Sequence, residues 1–112
     1  MTDEIKKYLH DIKTSIDAIN EYLGTERNFY NFQNNRMLKK AIEREFEIIG
    51  EAMNRILQVN KDIEISSSRK IVDLRNYLAH GYDSVDYSTL WGIISKHLPN
   101  LDTEIISLLN DK

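Results

Sequence analysis

From Ile5 the apolar residues fall at positions 5, 9, 12, 16, 19 and 23, in alternating steps of four and three. A spacing of that kind belongs to a helix that buries one stripe along its length, the seam of a bundle or coiled coil. It predicts a first helix from about Asp3 to Leu23. Thr2 or Asp3 is placed to cap its start and Gly24 to end it in the left-handed conformation. About twenty residues at 1.5 Å each make a rod roughly 30 Å long. A helix with so marked an apolar stripe needs other helices to cover it.

The rest of the chain supplies them. In "RMLKKAIEREFEIIGEAMNRILQ", Leu38, Ala41, Ile42, Ile49, Ala52, Met53 and Ile56 hold the helical period, while Lys39, Lys40, Glu43, Arg44 and Glu47 are expected on the outside. Gly50 interrupts that helix at a cost of about 1 kcal/mol against alanine, which is a reason to expect another backbone close against it. Between the two helices, "NFYNFQNN" at 28 to 35 reads as a connection with one loose turn, its aromatics folded back on the bundle. "SSSRK" offers serine caps for a helix reading IVDLRNYLAH, ended by Gly81. "DYSTLWGIISKHL" is a further helix that Pro99 is expected to break, and LDTEIISLLN is a short last one. No segment alternates with period two. The expected architecture is an all-α, up-and-down bundle of four to five helices, with residues 1–112 forming one domain.

Composition narrows the function classes. The chain has no cysteine, so thiolate nucleophiles, disulfides and zinc-thiolate sites are excluded and a reducing cytoplasm is the expected setting. The three histidines, His10, His80 and His97, are scattered without metal-ligand spacing, so no metal site is expected. Glu43, Glu47 and Glu51 repeat at i, i+4 as in a di-iron helix, but the Glu-x-x-His partners are absent. They read as surface charges or salt-bridge partners, although Glu51 lies in "GEA", inside a block whose family resemblance, described below, implies support for the motif cleft. No apolar run is long enough to span a bilayer, and the N-terminus lacks the apolar stretch of a signal peptide. A net charge of −3 argues against a broad electrostatic grip on nucleic acid and leaves only local basic patches, such as "RKIVDLR" and "RMLKKAIER".

The stretch "RNYLAHGY", residues 75 to 82, carries the chemistry. At about 100° per residue, Ile71, Leu74 and Leu78 form the buried stripe with Tyr77 at its edge, and Asp73, Asn76 and His80 share the opposite face. Asn76 and His80 stand one turn apart, whereas Arg75 and His80 point about 140° from each other. Arg75 lies on the flank of the stripe, where its long side chain reaches for solvent or serves a groove or a dimer seam. A histidine in a last turn followed by glycine is also an ordinary helix ending, and geometry alone favours that plainer reading. Tyr82 by itself reads as a loop aromatic packed on the next helix. Trp91 reads as core or dimer interface in preference to a base-stacking platform, and Tyr87 reads as packing.

Taken together, Arg75, Asn76, His80 and Tyr82 resemble the R-x4-H-x-Y signature of HEPN-superfamily proteins, specifically the HepT-like toxin branch. "AIEREFEIIGEAMNRIL" at 41 to 57 resembles that family's second-helix block, and "IVDLRNYLAHGYDSVDYSTLWGIISKHLPNL" at 71 to 101 resembles its core segment. The chain departs from many relatives in "KDIEISSSRK", where they carry a proline and a tryptophan. The resemblance implies a HEPN-like bundle that forms a homodimer, open to larger assembly with a partner, in which two motifs face each other across a cleft. It further implies a metal-independent endoribonuclease acting on RNA, tRNA among the candidates. That enzyme would be the toxin of a toxin-antitoxin pair, neutralised when a minimal nucleotidyltransferase antitoxin transfers AMP to Tyr82.

The residue types suit that chemistry. Histidine gives or takes a proton near neutral pH, and arginine offers a planar fork of donors to phosphate oxygens. On this reading His80 is general acid or base, Arg75 stabilises the scissile phosphate, and Asn76 orients His80 or the substrate. Arg69 and Lys70 are candidates for guiding RNA, against the plainer reading of a solvated helix face. A non-catalytic dimeric helical module that binds nucleotide or docks the partner is the competing expectation.

Overall fold

The computed structural model describes residues 1–80 and 85–110. Helix α1, Asp3–Leu23, begins where Thr2 Oγ1 accepts the Ile5 N–H at 3.1 Å, and it ends at Gly24, whose φ of 68° is the left-handed turn that glycine adopts without strain. Ile5, Leu9, Ile12, Ile16 and Ile19 of the predicted seam are buried, and Leu23 packs at its edge. A short helix, α2, Phe29–Gln33, follows the cap of Asn28, and Asn35 then caps α3, Arg36–Val59. Both asparagines use their side-chain oxygen to satisfy an amide of the first turn. The sequence "NFYNFQNN" thus holds one helical turn between two helix starts.

Helix α3 is the centre of the bundle. It packs on α1 along one side and on α4, Ser68–Ala79, along another. The chain then enters α5, Tyr87–Gly92, capped by the Asp86 carboxylate, which accepts from the amides of Ser88 and Thr89 at 3.0 and 3.2 Å. Hydrogen bonds from the Thr89 backbone and hydroxyl, with a smaller part from the Ser88 amide, hold the Asp86 carboxyl below the usual carboxylate range, because they favour its charged form. Helix α6, Leu98–Asn110, closes the chain against α1. Counting α5 and α6 as one rod, the described residues form an all-α bundle of five helical bodies without a strand.

Three features of the fold differ from the sequence-based expectations. Pro99 does not break the last long helix. Residues Ile93–His97 form a π-turn, in which the Leu98 N–H reaches back five residues to the Ile93 carbonyl, and the helix continues as α6. The wider turn opens the space that a proline ring needs against the preceding turn, so the rod absorbs the proline instead of stopping. The serines before α4 do not cap it with their side chains. Ser67 sits at φ −106°, ψ 20°, outside the extended conformation that aims a cap oxygen at the first amides, and it makes no side-chain cap bond. Ser66 is drawn away instead: its N–H and Oγ donate to Glu104 at 3.0 and 3.2 Å, tying the loop before α4 to α6.

The third change is Glu43, expected outside and found 8% exposed. Its Oε2 accepts the Tyr87 hydroxyl at 2.7 Å, and Lys40 stands 3.7 Å from its other oxygen. The contact arises because α2 and α5 fold over that end of α3. Phe32 is fully buried there, with ring centroids 5.2 Å from Trp91 and 6.0 Å from Tyr87, and Phe29 lies 5.9 Å from Trp91. Two of the three aromatics in the α1–α3 connection do fold back, whereas Tyr30 stays 71% exposed. Among the described residues no helix is long and apolar enough to cross a membrane.

Candidate functional site

The site begins with a glycine. At Gly50, α4 crosses α3 so closely that a methyl group there would overlap Arg75 Cβ, and it would stand 2.8 Å from Arg75 Cγ and 3.1 Å from the Ile71 carbonyl. Gly50 is therefore the contact point that its place in the helix predicted. The absence of a side chain seats the Arg75 stem against the α3 backbone.

From that anchor the guanidinium spreads between two acceptors. Arg75 Nη2 donates to Glu51 Oε2 at 2.8 Å, and Nη1 donates to Asn76 Oδ1 at 3.0 Å. Glu51 is itself flanked by Arg55 Nε at 3.6 Å from its second oxygen. The Arg75 side chain remains 34% exposed and opens on a groove of about 560 Å³ between α1, α3 and α4. Lys7, Tyr8 and Arg44 line the same groove with the carboxylates Asp11 and Glu47, and Lys7 is paired with Asp11 at 2.8 Å, so charges of both signs stand beside the guanidinium.

His80 lies just past the last residue of α4. Its backbone N–H donates to the Asn76 carbonyl at 3.2 Å, and its side chain is exposed. Asn76 and His80 are thus linked through the backbone, while the Asn76 carboxamide is turned to Arg75. Arg75 and His80 do not pair, as their angular separation implied. Tyr82 and Gly81 lie outside the described residues. Arg69 and Lys70 are exposed in the first turn of α4. At 1.5 Å per residue they stand roughly 15 Å along the axis from His80 and are not gathered with it.

Two relations escaped a reading of single helices. The Glu51–Arg75 pair joins residues 24 apart on different helices, and only the conjunction of an interior glycine with an acidic neighbour, "GEA", hints at it. The Glu43–Tyr87 pair spans 44 residues and has no local sequence signal. Burial pushes the Tyr87 hydroxyl up to about 12, and the bond to the Glu43 carboxylate adds to that shift by favouring the protonated phenol. Lys39 Nζ sits 4.3 Å over the centroid of the same ring.

Comparison with known proteins identifies the family. The family described as "Ribonuclease HepT-like" matches residues 12–108, a span that contains Gly50, Glu51, Arg75, Asn76 and His80. The chain belongs to this HepT-like family of the HEPN superfamily. Among curated relatives, it is 33% identical over 106 residues to "Putative RNase MJ1380" of Methanocaldococcus jannaschii, covering 91% of this chain and 94% of that one. It is 28% identical over 109 residues to "Putative RNase MJ0125" of the same organism, covering 96% and 93%. A third relative there, "Gamma-glutamylcyclotransferase and putative RNase MJ0434", is 29% identical over 114 residues, which is 99% of this chain and 50% of that protein. No solved structure matches the chain.

Proposed function

We propose that this chain is a metal-independent endoribonuclease, the toxin of a toxin-antitoxin pair, acting as a homodimer with the Arg75, Asn76, His80 and Tyr82 motifs facing across a cleft. The observation that carries the reading is the state of Arg75. Its guanidinium is fixed by Glu51 and Asn76 yet a third exposed, next to a helix end that presents an exposed imidazole. An arginine held in place with donors to spare suits a phosphate, and a solvent-facing histidine suits proton transfer.

The reaction follows from those groups. A ribose 2′-oxygen attacks the adjacent phosphorus and its proton passes to the His80 imidazole of one subunit. Arg75 donates to the non-bridging oxygens as charge gathers on them. The bond to the 5′-oxygen breaks as the second subunit's imidazole supplies a proton, leaving a 2′,3′-cyclic phosphate and a 5′-hydroxyl. One chain holds a single His80, so acid and base together require the dimer. Asn76 accepts from Nη1 of the guanidinium while Glu51 accepts from Nη2.

Neutralisation is assigned to Tyr82. A minimal nucleotidyltransferase partner would join the phenolic oxygen to the α-phosphorus of ATP with release of pyrophosphate. The attached AMP adds a negative phosphate and a base beside the cleft, excluding RNA by charge and bulk. Arg69 and Lys70 would guide the strand from the far end of α4, and the protein would work in the cytoplasm. The test is incubation of end-labelled tRNA and bulk RNA with purified protein in chelator, with Tyr82 shown unmodified by intact mass. Cleavage with cyclic-phosphate ends is expected. Partner binding without any cleavage would replace this reading with the non-catalytic dimeric module.

A further inference from the structure

We propose that Glu51 is a positioning residue for the Arg75 guanidinium, an inference that rests on the ribonuclease reading above. An arginine carries five N–H donors. Glu51 and Asn76 engage one each, on different terminal nitrogens, and no other hydrogen bond engages the remaining three among the described residues. Holding both ends fixes the plane of the fork, and the Gly50 contact fixes its stem. Arg55 Nε stands 3.6 Å from the second Glu51 oxygen, beyond hydrogen-bond length, and adds a charge attraction from the other side. The result is a hydrogen-bonded chain, Glu51 to Arg75 to Asn76, whose arginine lines the groove beside α4.

The charge of Glu51 makes this role specific. A carboxylate beside a phosphate-binding arginine repels the phosphate, so affinity for RNA gives no reason to put one there. Folding gives little reason either, since the Glu51 side chain is 46% exposed and ion pairs of that exposure contribute little to stability. Orientation does give a reason. A fork free to rotate must be ordered each time a transition state forms, whereas one already held is not.

Removing the carboxylate should therefore lower the cleavage rate at saturating RNA while leaving the half-saturating concentration unchanged or lower. We expect Glu51→Ala to lose between about tenfold and a hundredfold in rate. Glu51→Gln, which keeps an acceptor oxygen and drops the repelling charge, should recover most of that rate and bind RNA more tightly than wild type. The loss should be non-additive with Arg75→Ala, because a residue that acts through Arg75 has nothing to position once the guanidinium is gone.

Two measurements decide it. The first is 15N relaxation of the Arg75 Nε–H group, which reads side-chain order in free protein and needs no cleavage. High order in wild type that falls in Glu51→Ala is expected, and unchanged order overturns the proposal whether or not the protein cuts RNA. The second is single-turnover cleavage by wild type, Glu51→Ala, Glu51→Gln, Arg75→Ala and the double variant, with helix content checked by circular dichroism. A rise in half-saturating RNA with unchanged rate, or additive losses, overturns it. An inactive wild type refutes the ribonuclease reading, and the relaxation result still decides whether Glu51 orders Arg75.

Discussion

The Tyr87 hydroxyl and the Glu43 carboxylate each depend on the other for a place under α2 and α5. Glu43 is nearly buried and accepts the phenol at 2.7 Å, so Tyr87→Phe leaves one of its oxygens without that partner. A loss of about 1–3 kcal/mol in urea unfolding at neutral pH is expected, the range for a buried acceptor left unsatisfied. The pH dependence has a definite sign. With the folded hydroxyl raised to about 12 and the unfolded one near 10, the folded state holds a proton that the unfolded state has lost. The stabilisation is complete below about pH 10 and disappears as pH climbs toward 12. Thermal scans over that window should show wild type losing stability faster than Tyr87→Phe; parallel curves would contradict the bond. Arg75 poses the companion test at this scale. Replacing it with lysine keeps the charge but not the planar fork, so cleavage should fall steeply even if RNA binding survives.

At the scale of elements, the crossing of α3 and α4 depends on Gly50. Gly50→Ala meets Arg75 and the Ile71 carbonyl, and the helices must separate or bend to admit it. A destabilisation of about 1–3 kcal/mol is expected, larger than a propensity gain of about 1 kcal/mol can offset, together with loss of cleavage because the Arg75 stem is displaced. Equal or greater stability by urea titration would mean that the crossing yields without strain. The same element shows what the chain discloses unaided. The seam from Ile5 to Leu23 is legible because burial against neighbours imposes one spacing on one helix, and the structure buries those positions from Ile5 to Ile19, with Leu23 partly buried at the end. Gly50 is legible because an interior glycine costs helix stability and calls for a compensating contact.

The π-turn at Ile93–His97 is not legible, since proline signals a stop only when the preceding turn is α-helical, and a one-residue change of register is decided by packing. Nor is the loss of the Ser67 cap, which follows from the loop's attachment to Glu104. Of the candidate site, the residues are legible in "RNYLAHGY" and its resemblance, but their ties to α3 are not, because Glu51 reaches Arg75 only after two helices cross.

Across the whole molecule, the bundle brings to one groove what the chain keeps far apart: Lys7 and Tyr8 from α1, Arg44, Glu51 and Arg55 from α3, and Arg75 from α4. The proposed chemistry asks for a second copy as well, since acid and base are both His80. Specific activity should accordingly fall on dilution in step with the dimer fraction measured by analytical ultracentrifugation, and activity that stays constant per chain in a demonstrated monomer would remove the two-histidine scheme. The most direct test of the account as a whole is RNA cleavage by His80→Ala beside wild type, both with Tyr82 unmodified and both shown by circular dichroism and sedimentation to share helix content and assembly. Wild type should cut RNA without metal, and cutting should drop at least about a hundredfold in the variant. Undiminished cutting by His80→Ala would contradict it and return the histidine to the ordinary role of ending a helix.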